Sequence, residues 1–512
     1  MQYLLDSKQM KAVDRYNIEE IGIPSLVLME RAALSVAAEA ERLCPEGGRA
    51  LFVCGTGNNG ADGLAAARML FLHGRRAEVL LLGREDRATE EHQAQQSILR
   101  KLGVSVYTAD SFFEYDKRER YSLIVDALFG IGLSRPLEGE AAELVSWINR
   151  EKEEGAFVLS VDIPSGISAG TGQVLGTAVK ADRTVTFGYE KLGMVFYPGT
   201  EYAGRRLVAD IGFVPPPDVG SLARAFLPGE KGRLPGRTAD GNKGTFGRVF
   251  LAAGSLGMSG AAYLSGKAAG LSGAGLVQIY TVKENVPVLQ TLLPEAILTA
   301  AATESSSGGA PEAGSRLPSF LDRASALVAG PGLSVSPLAN RILKQLLEER
   351  KERKLPCVLD ADALNILARE RELLGELDER MILTPHMGEM ARLVGKSVAA
   401  LKEDPIGAAK SFHETYGAVC VLKDARTVVA SGKGIYVNLS GNDGMATGGS
   451  GDVLSGILGG LLAGGMEPAD AAETGVYLHG LAGDAAASRL GRRSMLAGDI
   501  LEEVAGVFRG WE

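Results

Sequence analysis

A chain of 512 residues is longer than one ordinary hydrophobic core and calls for roughly two to four domains. Apolar residues at 46% and charged residues at 23% exclude a disordered chain, and a net charge of −9 without a long basic run excludes a general nucleic-acid binder. The 66 glycines are not periodic as in collagen; they cluster behind apolar runs, where a backbone must turn tightly or approach a ligand.

The opening run, Met1 to Lys8, lacks the apolar stretch of a secretory signal. Cys44, Cys54, Cys357 and Cys420 form no CxxC pair, so neither a thiolate zinc site nor a disulfide framework is expected, and a reducing cytoplasm fits. From there short apolar runs alternate with helical patterns, which predicts an α/β protein with mostly parallel sheets. The strand runs of the first half include Ala50–Cys54, Ala77–Leu82, Tyr121–Asp126, Phe157–Asp162 and Arg183–Phe187.

The segment Ala50 to Gly63 reads as strand, tight turn and helix start, with Gly55, Gly57 and Gly60 satisfying G-x-G-x-x-G. Against a dinucleotide site, the next strand is followed by Gly83 and Arg84 where an acidic ribose-binding residue belongs. Asn58, Asn59 and Asp62 also place polar side chains in a turn that ordinarily works through its backbone. Two further strands run into polar, glycine-bearing loops, Ala127 to Pro136 after Asp126 and Ile163 to Gly166 after Asp162. In an open parallel sheet these ends line one crevice, so Asn58, Asn59, Asp62, Asp126, Asp162 and Ser165 are candidates to converge there. An Asp at a strand end also serves as a turn or cap residue. Gly166 to Gly170 fits G-x-S-x-G, but no helix pattern follows, as a hydrolase elbow requires.

Between Val214 and Arg237 come Pro215, Pro216 and Pro217, then Gly220, Pro228, Gly229, Gly232, Pro235 and Gly236. Three consecutive prolines suit neither a helix nor a central strand, so a linker is expected there. Strand runs resume at Arg248–Ala253, Leu276–Tyr280, Ala326–Ala329, Cys357–Asp360, Met381–Thr384 and Val419–Lys423. Thr303 to Ser315 reads as a surface loop, and Arg341 to Lys354, with Glu348, Glu349 and Glu352 among its bases, as a solvated helix face. Leu454 to Met466 is too short and too glycine-broken to span a bilayer, so no membrane association is expected.

The strongest motif runs from Asn442 to Gly456. Gly448, Gly449 and Gly451 precede an apolar helix starting near Asp452, and bare amides at such a start suit a transferring phosphoryl group. Asp452 is placed either to take a proton from a substrate hydroxyl or simply to cap the helix. No Walker phosphate loop occurs.

Residues 55–63, 125–132 and 161–166, with Gly22 to Arg31, resemble the NAD(P)H-hydrate epimerase family. The resemblance implies a Rossmann-like three-layer αβα domain over residues 1–217. It further implies K⁺ held by Asn59, Asp126 and Ser165, and substrate loops Asn58, Asn59, Gly60, Ala61, Asp62 and Gly130, Ile131, Gly132, Leu133, Ser134, Arg135, Pro136, with Asp162 on the hydrated ring. Ala61 stands where the family usually carries glycine, a position that an alanine fills poorly if the backbone needs a positive φ. In a hydrated nicotinamide the ring nitrogen can expel the C6 hydroxyl once it is protonated, and water can return to the other face; Asp162 is the expected acid/base.

Asn242 to Val249, Ala253 to Ser255, Val328 to Leu333, Leu359 to Asn365, Leu383 to Glu389 and the Asn442–Gly456 motif resemble the ADP/ATP-dependent NAD(P)H-hydrate dehydratases, a branch of the ribokinase-like fold. Over residues 226–512 this implies a second αβα domain in which Gly332, His386 and Asp452 touch the hydrate. Lys423, Asp424, Ala425, Arg426, Thr427 and Gly451 would hold ADP or ATP, with Mg²⁺. Met387, Asp424 and Asp443 depart from the usual pattern, and Asp424 adds negative charge beside the nucleotide. The implied protein repairs NADH hydrate and NADPH hydrate and is a homo-oligomer. The alternative is a ribokinase-type small-molecule kinase fused to a non-catalytic module.

Overall fold

The strand runs of the first half are apolar at successive positions, as a parallel sheet covered on both faces requires. In the computed structural model, which describes residues 1–109, 111–112, 120–217, 220, 222–234, 236–301 and 317–512, they form one of two units, Gln2–Leu222; Ala223–Glu512, with Met1, forms the other. The proposed loop Thr303 to Ser315 lies outside the described residues.

In the N-terminal unit the strands are β1 (Gln2–Leu5), β2 (Arg49–Cys54), β3 (Arg76–Leu81), β4 (Val106–Thr108), β5 (Leu123–Ala127), β6 (Phe157–Val161), β7 (Arg183–Phe187), β8 (Glu190–Lys191) and β9 (Arg205–Ala209). The main sheet is parallel with order β4-β3-β2-β5-β6-β7-β9, and β1 pairs with β8 beside it. Ala50, Phe52 and Cys54 of β2 point into a core with the helices Ser25–Leu43 and Asn58–Leu72. Leu51 and Val53 point the other way, against the helix Gly139–Glu153, so a period of two feeds both outer layers. The sheet order reverses between β2 and β5, and at such a point the loops leaving adjacent strands diverge and open a crevice.

The division between Leu222 and Ala223 falls inside the expected linker, but that segment is not wholly irregular. Leu222 packs with Leu5, Met10 and Val13 of the first unit. Ala223–Ala225 forms β10 of the second, pairing with β19 below because three residues suffice for a main-chain ladder.

The C-terminal unit continues with β11 (Arg248–Ala252), β12 (Leu276–Thr281), β13 (Ile297–Ala300), β14 (Ala326–Ala329), β15 (Cys357–Leu359), β16 (Met381–Leu383), β17 (Val419–Leu422), β18 (Val428–Ser431) and β19 (Gly434–Val437). Their order is β13-β12-β11-β14-β15-β16-β17-β18-β19-β10, parallel through β17 and antiparallel across β18. Val249 and Leu251 face a core built with the apolar helix Ser450–Ala463 and with Pro468–Leu490 and Ala497–Trp511. The helix Pro337–Arg353 buries Ile342, Leu343, Leu346 and Leu347; its buried Arg350 bonds Asp378, an exception to the solvated face expected for that stretch. Among the described residues no helix is long and apolar enough to cross a membrane.

Candidate functional site

In the N-terminal unit, β2 stops at Cys54 and the chain turns through Gly55–Gly57 into the helix Asn58–Leu72. Gly60 backs onto the Gly55 carbonyl so closely that any side chain there would collide with it. Ala61 takes ordinary helical backbone and packs into the core, so its methyl is accommodated where a positive φ would have penalised it. Asn58, Asn59, Ala61, Asp62, the run Gly130–Arg135 and Asp162 line one cavity of about 790 Å³ at the switch point. Gly60 and Pro136 are not part of its lining.

Asp126, at the end of β5, is fully buried. It accepts from Ser160 Oγ at 2.8 Å, Ser165 Oγ at 2.6 Å and Ser165 N at 2.9 Å. Burial pushes its carboxyl up, and these donors pull it back. The Phe129 N–H donates to Ser165 Oγ at 2.9 Å, and Asn59 lies against neighbouring Gly130. Asn59 Nδ2 is buried without a partner.

Asp162 follows β6 with a φ of 66°, a left-handed conformation that penalises a side-chain-bearing residue and persists only where its surroundings impose it. Its Oδ1 accepts from Lys191 Nζ at 2.5 Å, Thr186 Oγ1 at 3.2 Å and Phe187 N at 3.3 Å. Lys191 is buried and also donates to Thr186 and to the Phe187 carbonyl. Burial, then the charges of Asp162 and Asp14, hold the Asp62 carboxyl well above its usual range. Lys191 and Asp14 were missed by the sequence reading. Lys191 carried one signal, a cation after Glu190 and before the uncharged run Leu192–Gly199; Asp14 carried none beyond an ordinary amphipathic helix.

In the C-terminal unit the parallel strands deliver their polar residues to one edge: Asp360 after β15, His386 after β16 and Lys423 after β17. Asp360 is buried; its Oδ1 accepts from Lys423 Nζ at 2.8 Å and its Oδ2 from Ser455 Oγ at 2.5 Å. Burial alone would raise the Asp360 carboxyl, but Lys423, Ser455 and Thr384 outweigh it and hold it low. Gly451 sits over this pair, where an added Cβ would lie 3.3 Å from Lys423 Nζ and 3.7 Å from Asp360 Oδ2. Sequence reasoning passed over Asp360 and Ser455, although Asp360 ends an expected strand.

Gly449 caps the helix Ser450–Ala463 with a φ of 93°, and Asp452 occupies its first turn. The cap position is held by Gly449, so Asp452 is not the N-cap residue of this helix. Burial and the nearby Asp360 charge, opposed by Lys423, push the Asp452 carboxyl up to about 6. His386 caps the helix Met387–Val394, its Nδ1 accepting from Gly388 N at 2.9 Å, while Glu389 accepts from the His386 N–H at 2.8 Å. Burial and the charges of Lys423 and Arg392 lower the His386 pKa. Met387 is buried in this first turn without disturbing the cap. Gly332, with a φ of 56°, sits against Met258 and Ala261, and Leu264 of that same helix, Ser259–Leu271, faces Gly449. Asp424 and Ala425 are exposed, and Thr427 and Arg426 partly so, on the loop that leaves β17.

A family model described as NAD(P)H-hydrate dehydratase matches residues 249–505, and one described as YjeF-related protein N-terminus matches residues 25–193. A bifunctional NAD(P)H-hydrate repair enzyme from Moorella thermoacetica is 39% identical over 100% of this chain and 97% of its own length. The one from Thermofilum pendens is 38% identical over 98% of this chain and 95% of its own. Among solved structures, the ADP/ATP-dependent NAD(P)H-hydrate dehydratase of Bacillus subtilis is 30% identical and covers 55% of this chain and 95% of its own, with a TM-score of 0.45. With two full-length relatives above one-third identity and both halves matched in order, the chain belongs to the family of bifunctional NAD(P)H-hydrate repair enzymes.

Proposed function

We propose that the N-terminal unit interconverts the R and S epimers of hydrated NADH and NADPH, and that the C-terminal unit returns the S epimer to NADH or NADPH at the expense of ADP or ATP. The observation that carries this reading is the presence, in each unit, of a carboxylate at the carboxyl edge of a parallel sheet, the buried Asp162 in one and the half-buried Asp452 in the other.

In the first crevice Asp162 acts at the C6 hydroxyl of the hydrated ring, while Asn58, Asp62 and the Gly130–Arg135 loop surround the substrate. The side chains present suit K⁺: Asn59, Asp126 and Ser165 offer oxygen donors with a single carboxylate, and the buried, unpartnered amide end of Asn59 is free to present its oxygen instead of its nitrogen. Held by these residues, of which only Asn59 lines the cavity, the ion would supply a fixed positive charge.

In the second, Asp452 takes the proton of the C6 hydroxyl as that oxygen attacks the terminal phosphorus, and the amides at the glycine-opened helix start stabilise the charge that develops. The phosphate so attached leaves far more readily than hydroxide, and its departure with the C5 proton restores the nicotinamide ring. Lys423, Asp424, Ala425, Arg426, Thr427 and Gly451 hold the nucleotide, and Gly332 and His386 the hydrate. Both oxygens of Asp360 are already engaged by Lys423 and Ser455, so Mg²⁺ would enter on the nucleotide phosphates. A cytoplasmic location accords with four buried, unpaired cysteines. Incubation with separated hydrate epimers, with and without ADP or ATP, tests the reading. Nicotinamide absorbance should return from both epimers only when nucleotide is present, and absence of return from either would defeat it.

A further inference from the structure

Epimerisation at C6 needs two proton transfers on opposite faces of the ring: one group protonates the departing hydroxyl and another accepts a proton from the incoming water. Asp162 reaches one face of the ring only, so it can serve one of these transfers in each direction. Three donors, one of them the Lys191 ammonium at 2.5 Å, converge on its Oδ1 and fix the side chain in place. The other face therefore needs a second proton-transferring group.

We infer that Asp14 is this second acid/base group, working on the ring face opposite Asp162. The inference rests on the proposed epimerase reading. Asp14 lies on the helix Ser7–Arg15 and lines the same cavity as Asp162, with its side chain half-buried. Unlike Asp126, Asp162 and Asp360, it has no hydrogen bond or ion pair to any described residue, so its proton is free to move to a substrate. The other charged groups on the cavity wall are Lys11, Asp62, Glu91, Arg135, Asp162 and Lys191. Burial and the Asp162 charge, opposed by Lys191, push its carboxyl up to about 6, within reach of both protonation states near neutrality. Asp62, on the helix Asn58–Leu72, lines the same cavity and is the rival; loss of epimerisation in Asp62→Asn beside wild-type turnover in Asp14→Asn would assign the role to it instead.

The step balances with one proton on the pair. Asp14 gives its proton to the C6 hydroxyl, the C6–O bond breaks, and the ring nitrogen lone pair forms the C6=N bond as water departs. A water on the other face then forms the new C6–O bond and yields a proton to the Asp162 carboxylate. That proton returns to Asp14 through solvent, leaving no net change. In the reverse direction the two residues exchange roles.

The test uses the full chain, with nucleotide-dependent dehydration of the S epimer by the same molecule as the folding control. Asp14→Asn should lower epimerase kcat by about 100-fold or more with little change in KM. It should also abolish the fall in kcat/KM that the wild type shows as pH rises through about 6. Asp14→Glu should recover part of the rate and keep that limb at a shifted pH. Wild-type turnover in Asp14→Asn, or a loss that leaves the limb in place, overturns the inference. If Asp14→Asn also loses dehydration, Asp14→Glu decides alone: a displaced limb supports Asp14 and an unmoved one refutes it. If Asp162→Asn likewise leaves epimerisation intact, the epimerase reading of this crevice fails, and not merely the role of Asp14.

Discussion

At the scale of single residues, Asp452 is where catalysis and stability pull apart. A carboxyl whose folded pKa is raised holds its proton more tightly in the folded state than in the unfolded one. It therefore favours folding below its ordinary range and loses that contribution as pH rises between 3.8 and about 6. Near neutrality its ionised form is a burden on the fold, so Asp452→Asn should melt no lower than the wild type. As a general base the same residue must be ionised, so dehydration should fall as pH drops through about 6, and the Asn variant should lose about 10²–10⁴ in turnover with nucleotide binding retained. Turnover at saturating ADP, measured beside a melting curve, checks both; near-normal turnover in a stable variant would leave Asp452 a bystander. Asp162→Asn should cut epimerisation by a similar factor and leave dehydration of the S epimer untouched, which parallel assays on one preparation reveal. The residues legible in sequence, Asp162 and Asp452, each end a strand or open a helix beside glycines. Lys191, Asp360 and Ser455 were not, because their meaning comes from partners far away in the chain, 29 positions in Asp162–Lys191 and 95 in Asp360–Ser455, and Asp14 was not because only the fold brings its helix to the cavity.

At the scale of elements, the glycine-opened helix start is the feature most exposed to a single methyl. Gly449 has a φ of 93°, and a Cβ there would press on Leu264 and Ala497. Gly449→Ala should cost about 1–3 kcal/mol for the left-handed backbone alone and should lower dehydration by displacing the amides that follow. Thermal unfolding with S-epimer turnover tests this, and an unchanged protein would show that the loop adapts. The long buried strands were readable almost to the residue: Arg183–Phe187 and Ala326–Ala329 match the expected bounds, and β2, β5 and β17 differ by one or two positions at their ends. Those runs are apolar on both faces, which is what the sequence signals. The strands that escaped notice are of another kind. β1 and β8 are four and two residues long. β13 is half-exposed at the sheet edge, and β18 and β19 form an antiparallel hairpin, outside the strand–helix alternation that the sequence signals.

At the scale of the whole molecule, the two units differ in where their residues lie, and that sets how they should separate. A fragment of residues 1–222 keeps Leu222 packed on Leu5, Met10 and Val13 and contains the whole epimerase crevice. It should fold and epimerise without nucleotide, whereas a cut at residue 217 strips that contact and should melt lower; equal melting of the two fragments would make Leu222 irrelevant. The division of labour itself is tested most directly by complementation between full-length chains, starting from a mixture of both hydrate epimers with ADP and following nicotinamide absorbance. Asp162→Asn alone should stop once the S epimer is spent, apart from slow spontaneous epimerisation, and Asp452→Asn alone should return almost nothing. An equimolar mixture of the two variants should carry the reaction to the extent the wild type reaches. Failure of the mixture to pass the point where Asp162→Asn stops, or wild-type conversion by either variant alone, would contradict the assignment of one reaction to each unit.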